Sequence, residues 1–457
     1  MTDSPNRLFG LPASAKEQLV KRMVERRVKR PGSVSAVPAA HGGADINEAF
    51  VRFDQLPGYQ ELHIQKAAAD RLDIDNPYFR LHEGIASNTT LIGNREYINY
   101  ASYNYLDLCG HPAVAEAAKA AIDRYGTSAS ASRPVSGERP VQRDLEAALA
   151  AMHQVEDCVV FVSGHATNVS TLGHLFGPRD LIVHDQLIHN SATQGAKLSG
   201  ARRAPFTHND WQAAETILAR ERHKYERAVI VVEGIYSMDG DLPDLPRFIG
   251  LKRQYKTFLM VDEAHSIGVL GDRGHGLGEH FGVPGTDVDI WMGTLSKTLS
   301  SCGGYVAGER ALVEYLKFSA PGFLYSVGMS PPIAASALAA LRQMDAEPER
   351  VQRLRHCGRL FKRLAEEAGL DTGLSEGFAV IPVIVGSSIK TARLSNALFD
   401  RGINVQPIIY PAVEERAARL RFFMSAAHTD EQVLETVDAV REELDKLSKK
   451  SPLKRVV

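Results

Sequence analysis

Four short apolar runs separated by helix-forming segments constrain this chain more than any other feature. They are CVVFVS (158–163), AVIVVEG (228–234), FLMVDEAH (258–265) and DIWMGTLSK (289–297). Their length, β-branched content and unbroken hydrophobicity predict strands buried on both faces of a mainly parallel sheet. HPAVAEAAKAAIDRYG (111–126) and VQRDLEAALAAMHQ (141–154) carry helical periodicity and strong helix formers. Alternation of this kind predicts an α/β architecture with helices on both sides of the sheet. Past about residue 340 the pattern changes to a long charged helix (348–369), one strand in FAVIPVIVG (378–386) and a last helix starting near Thr429. A second, smaller α+β domain follows, giving a layout of 1–80, 81–340 and 341–450.

Residues 1–80 have a different texture. EQLVKRMVERRVKR (17–30) reads as a basic amphipathic helix, and the Gly-, Pro- and Ala-rich stretch after it (31–45) as a linker. Three uses fit that helix: a solvated appendage, a docking surface for an acidic partner such as an acyl carrier protein, or a membrane-surface helix.

Bulk properties exclude several classes. A length of 457 residues is more than one hydrophobic core usually organises. A net charge of −2 gives no electrostatic basis for nucleic-acid binding. Cys109, Cys158, Cys302 and Cys357 are scattered, with no C-x-x-C pair, which argues against a zinc site or disulfide framework and suits a reducing compartment. No apolar run reaches the roughly 20 residues that span a bilayer. The first residues lack the apolar stretch of a secretory signal, so the expected location is the cytoplasm, with no integral membrane segment.

Ligands of open α/β sheets gather at the carboxyl ends of the strands, and here those ends carry chemistry. CVVFVS runs into Gly164-His165, AVIVVEG into Glu233 and then Ser237, FLMV into Asp262 and His265, and DIWM into Thr294, Ser296 and Lys297. A lysine can bond covalently to an aldehyde while neighbouring hydroxyls bind a phosphate. A buried aspartate can keep a pyridine nitrogen protonated, making the ring an electron sink. A glycine at a strand-to-helix turn lets backbone N–H groups face a phosphate. Aldehyde, ring nitrogen and phosphate are the three handles of pyridoxal 5'-phosphate. D-E-A-H also resembles a helicase box, but that reading needs a G-x-x-x-x-G-K-[ST] loop, and the sequence has none. The glycines of GDRGHG (271–276) do not sit as a dinucleotide-binding turn.

NYLDLCGHP, VEGIYSMDGDLPDLP, DEAHSIGVLGDRGHG, TLSKTLSSCGGYVAG and RLRFFMSAAHT occur in this order. With them the chain resembles the α-oxoamine synthases over about residues 85–445. These are a branch of the fold-type-I pyridoxal phosphate enzymes that includes 8-amino-7-oxononanoate synthase and serine palmitoyltransferase. The resemblance implies an aspartate-aminotransferase-like fold and a decarboxylative condensation. In it a small amino acid (serine, glycine or alanine) and an acyl thioester, of CoA or an acyl carrier protein, give an α-amino ketone. It implies that Lys297 holds the cofactor and then acts as acid and base, Asp262 meets the ring nitrogen and His265 the ring oxygen, and His189 stacks on the ring. Gly164, His165, Thr294 and Ser296 take phosphate-binding positions, with His165 where the family more often has an aromatic residue, and Ser237 lies near the ring oxygen. Arg421 takes the amino-acid carboxylate. Asn104 lines a substrate pocket shared with a neighbouring subunit, which implies a homodimer with its active site at the interface.

One departure concerns YSVGMSPP (325–332), where the family has a threonine that reaches the partner's phosphate. Val327 and Gly328 stand in place of Thr-Ser, so that contact is not expected here. Two rivals share the motifs: another fold-type-I enzyme such as an aminotransferase or aldolase, and a non-catalytic partner or scaffold subunit. The A-A-H-T ending and the S-M-D-G-D segment favour the synthase over the first. Retention of Lys297, Asp262 and His265 argues against the second.

Overall fold

The computed structural model describes residues 46–449, and they fall into two compact units. The small one contains residues 46–75 with 445–449. Its helix, Pro57–Arg71, opens with proline in the first turn, where a missing N–H costs nothing. The basic helix expected over 17–30 and the linker after it lie outside the described residues.

The large unit, Asn76–Leu444, begins with a hairpin of β1 (Thr89–Ile92) and β2 (Arg95–Asn99). Gly93 and Asn94 both have positive φ, the conformation a tight two-residue hairpin demands. The central sheet follows: β3 (Asp157–Phe161), β4 (Leu181–Asp185), β5 (Arg202–Phe206), β6 (Ala228–Glu233), β7 (Phe258–Asp262), β8 (Ile290–Thr294) and β9 (Gly304–Gly308). Its spatial order is β3-β9-β8-β7-β6-β4-β5. All strands run parallel except β9, which is antiparallel to both β3 and β8.

The four runs singled out from sequence are β3, β6, β7 and β8. Val159, Val229, Val231, Met260 and Met292 from these strands share one core with Leu172 and Phe176, each worth roughly 1.5–3 kcal/mol of transfer free energy. Three strands of the sheet, β4, β5 and β9, carry no such signature in the sequence. The apolar run of LIVHD (β4) ends after Val183, and RRAPF (β5) is an edge strand blunted by two exposed arginines and a proline. GYVAG (β9) is glycine-rich because a Cβ on Gly304 would lie 2.8 Å from the Gly164 Cα.

The C-terminal part holds β10 (Val380–Ile384), β11 (Ile403–Asn404), β12 (Gln406–Ile408) and β13 (Arg419–Phe423). β13 lies between β10 and β12 in an antiparallel sheet, while β11 pairs parallel with β2. Only the first of these four was expected. β11 and β12 are too short to show a period, and RLRFF mixes two arginines with its apolar residues. The closing helix is Asp430–Lys449, one residue from its expected start. Among the described residues no helix is long and apolar enough to cross a membrane.

Candidate active site

The carboxyl ends of β3, β4, β6, β7 and β8 converge on a cavity of about 200 Å³. Gly164, His165, His189, Asp262, His265, Thr294, Ser296 and Lys297 all line it, together with Ser163, Asn168, Ser191 and Glu233. Eight of the eleven residues nominated from sequence therefore share one space, although they are spread over 134 positions of the chain.

Lys297 follows β8. Burial lowers its amine to about pH 8, against the charge of Asp262, which favours the ammonium. Its Nζ lies 5.8 Å from the centre of the Tyr103 ring. Half the amines are therefore neutral, and nucleophilic, at about pH 8, far below the ordinary lysine range. For apoenzyme mixed with pyridoxal phosphate, the rate of cofactor capture is expected to rise with pH through about 8 and then level off, because only the unprotonated amine attacks an aldehyde. Stopped-flow absorbance measures this; a midpoint near the ordinary lysine value would contradict it.

Asp262, at the end of β7, is buried. Its Oδ2 accepts from Asn168 Nδ2 at 2.7 Å and its Oδ1 from the Ala264 N–H at 3.0 Å. Two donors from separate elements hold the carboxylate in one orientation. Asn168 Nδ2 also donates to Ser191 Oγ at 3.0 Å, and Ser191 Oγ lies 2.7 Å from His189 Nδ1. The Ser191 N–H points at the same nitrogen, at 3.3 Å. His189 Nδ1 is thus an acceptor, which places the proton of the neutral ring on Nε2. Burial shifts His189 downward, so the ring is neutral.

His265 is buried, with Nδ1 2.7 Å from the Tyr105 hydroxyl. Burial first, then the charges of Lys297 and Arg421, push it well below the usual histidine range. Glu233 ends β6 directly beside Asp262 in the sheet register. Its Oε2 accepts from the Ser237 N–H at 3.2 Å, and its buried Oε1 has no protein partner. Burial, and then repulsion from Asp262, raise it well above the carboxylate range, so Glu233 favours the protonated form.

The fit to pyridoxal phosphate rests on a cradle and on orphaned atoms. A Cβ on Gly164 would lie 2.8 Å from Thr294 Oγ1, so only glycine lets the Gly164–Leu175 helix start this close to the end of β8. First-turn N–H groups have no intrahelical partner, and those of Gly164 and His165 belong to cavity-lining residues. Asp262 can meet a ring nitrogen, and the helix start with Thr294 and Ser296 can meet a phosphate.

Three nominated residues stand outside the cavity lining. Arg421, on β13, donates from Nη1 to Ser237 O at 2.9 Å and sits over Phe423 at 4.6 Å, while its buried Nε has no protein partner. Ser237 is buried, with its backbone N–H on Glu233 and its carbonyl on Arg421. Asn104 is committed within its own chain. Its Nδ2 donates to Ala86 O (2.8 Å) and Asp107 Oδ1 (3.2 Å), and its Oδ1 accepts from the Leu108 and Cys109 N–H groups. Its amide shapes the turn that carries Tyr103 and Tyr105. At the departure noted above, a Cβ on residue 328 would meet Gly137 O at 2.8 Å, so this backbone requires Gly328 where the family has serine.

A family model described as aminotransferase class I and II matches residues 95–440. The chain belongs to this family. Among curated relatives, the 8-amino-7-oxononanoate synthase of Treponema denticola is 37% identical over 351 residues, 77% of this chain and 88% of that protein. The enzyme of the same name from Alkaliphilus metalliredigens is 35% identical over 392 residues, covering 85% and 99%. Among solved structures, serine palmitoyltransferase from Sphingomonas wittichii superposes with a TM-score of 0.82 at 26% identity, over 87% of this chain and 99% of that one. These similarities place the chain in the α-oxoamine synthase branch, which its motifs implied. It is a pyridoxal-phosphate-dependent acyltransferase. From the sequence, Asn168 and Glu233 are legible only as polar residues after strand ends, and Ser191 and Tyr105 are not assigned to the synthase's site. Asn168 and Ser191 lie on two helices, and the packing of those helices brings them together.

Proposed function

We propose that this synthase joins a small amino acid to an acyl thioester and releases CO2 and the free thiol, leaving an α-amino ketone. The observation that carries this reading is the pairing of a readily deprotonated Lys297 with the Asp262 carboxyl group in one cavity. Pyridoxal phosphate, when bound, supplies the electron sink that makes the amino acid's Cα–H acidic.

The chain's own residues do the rest. Gly164, His165, Thr294 and Ser296 would hold the phosphate, Asp262 the ring nitrogen, and His265 and Ser237 the side of the ring oxygen. His189 would cover the ring face. Lys297 would hold the cofactor's aldehyde, and its Nζ would also take the Cα proton of the amino acid and return a proton after CO2 leaves. Protonated Glu233 can donate a hydrogen bond beside it without adding a second negative charge to the site. Arg421 would take the amino-acid carboxylate.

Arg421→Ala is expected to raise KM for the amino acid about a hundredfold and to leave KM for the thioester nearly unchanged, as loss of a charged carboxylate contact implies. Steady-state kinetics with each substrate varied in turn checks this; equal effects on both substrates would move Arg421 out of that role. To identify the amino acid, the holoenzyme's visible absorbance is titrated with glycine, alanine and serine. A shift with one of them names the substrate, and a shift with none contradicts the reading.

Three further features belong to this proposal. The synthase works as a homodimer with its site at the interface, supported by exposed Phe318, Tyr325 and Val327. It is cytoplasmic, supported by four free cysteines. The layout of 1–80, 81–340 and 341–450 is retained, with β1 and β2 hydrogen-bonded into the last part through β11. The thioester donor is CoA or a carrier protein.

A further inference from the structure

Beneath the loop that reaches Arg421 lies a buried charge cluster that takes no part in the chemistry above. His208 follows β5, Asp185 ends β4, and Asp241 closes the loop after β6. His208 Nδ1 lies 3.0 Å from Asp185 Oδ1, and its Nε2 lies 3.0 Å from Asp241 Oδ2. Only 8%, 0% and 9% of the three side chains (His208, Asp185, Asp241) are exposed. With a carboxylate on each nitrogen, both nitrogens must donate, so the ring is an imidazolium. Against burial, which lowers it, the hydrogen bonds to Asp185 and Asp241 push His208 up to about 10. Asn209 closes the cluster, its backbone N–H on Asp185 Oδ2 (2.7 Å) and its Nδ2 on Asp241 Oδ2 (2.6 Å). The Tyr236 ring meets the His208 ring edge-on at 4.4 Å.

The loop above this cluster is a closed turn, with Tyr236 N–H on Asp241 O and Gly240 N–H on Tyr236 O. Gly240 has φ of +75°, and a Cβ there would sit 2.0 Å from Val380 O, which pins the turn against β10. From the other side β13 grips the same turn: Arg419 Nη1 donates to Met238 O and Arg421 Nη1 to Ser237 O. The Ser237 N–H in turn holds Glu233. Displacing the turn therefore moves Arg421 and Glu233 together.

We infer that His208, clamped between Asp185 and Asp241, is a positioning residue that fixes the Ser237–Asp241 turn and through it aims the Arg421 guanidinium. This rests on the reading of Arg421 as the receiver of the amino-acid carboxylate. His208→Gln abolishes the charge and leaves two buried carboxylates facing a neutral amide, so the turn loosens.

The test is steady-state kinetics of the full-length holoenzyme. His208→Gln is expected to raise KM for the amino acid about tenfold, with kcat within about threefold and KM for the thioester unchanged. Asp241→Asn, which removes one arm of the clamp, is expected to act in the same direction, and stands in if His208→Gln does not fold. A clamp that serves only the fold would lower the melting temperature with KM unchanged, and that result overturns the inference. Arg421→Lys, run alongside, separates the two claims. If it raises KM and the clamp variants do not, positioning by His208 is wrong. If none of the variants raises KM, the role of Arg421 is wrong as well.

Discussion

Lys297→Ala is expected to abolish turnover, with a loss of at least about 10⁴-fold, because it removes the group proposed both to tether the cofactor and to transfer the proton. Among the residues that line the cavity no other side chain is an amine, so nothing nearby can take its place. The cradle around Gly164 and the Asp262 carboxylate remain in the variant, which should still bind pyridoxal phosphate noncovalently. Its visible absorbance should then resemble that of the free aldehyde. Kinetics and the spectrum of the purified variant check both halves; turnover at the normal rate would remove Lys297 from the mechanism.

The second large effect is expected at Asp262. In Asp262→Asn the side chain keeps its size but loses the charge proposed to hold a ring nitrogen protonated. A fall in kcat of about 10³-fold is expected, equivalent to roughly 4 kcal/mol of transition-state stabilisation. Cofactor content should fall much less, since Lys297 and the phosphate cradle are untouched. Asn168→Ala is expected to act in the same direction and more weakly, because the Ala264 N–H still holds the other carboxylate oxygen. Measuring kcat and bound cofactor in the same preparations separates electronic loss from simple loss of cofactor. Parallel loss of both would contradict the assigned role.

The sheet and much of the site could be read in the sequence because buried parallel strands are unbroken apolar runs whose ends coincide with reactive residues. β3, β6, β7 and β8 announce themselves in this way, and Asp262, Thr294 and Lys297 follow directly. β5 could not be read, because an edge strand is protected by the charges and proline that hide it. The roles of Asn168 and Ser191 were invisible for another reason. Their meaning comes from the approach of the Gly164–Leu175 and Asn190–Leu198 helices, which lets one amide connect Asp262 to His189. The protonated state of Glu233 was equally out of reach, since it depends on a neighbour 29 positions away in sequence but adjacent in the sheet. For Asn104 the motif gave the position, while the structure shows an amide fully engaged in its own turn.

The central claim, decarboxylative condensation, is tested most directly by product stoichiometry. Holoenzyme is supplied with a carboxyl-labelled amino acid and an acyl-CoA, and labelled CO2 and free thiol are measured together. The account predicts one CO2 for each thiol, with both absent when either substrate is withheld. Thiol release without CO2, or amino transfer to a keto acid with no thioester consumed, would contradict it.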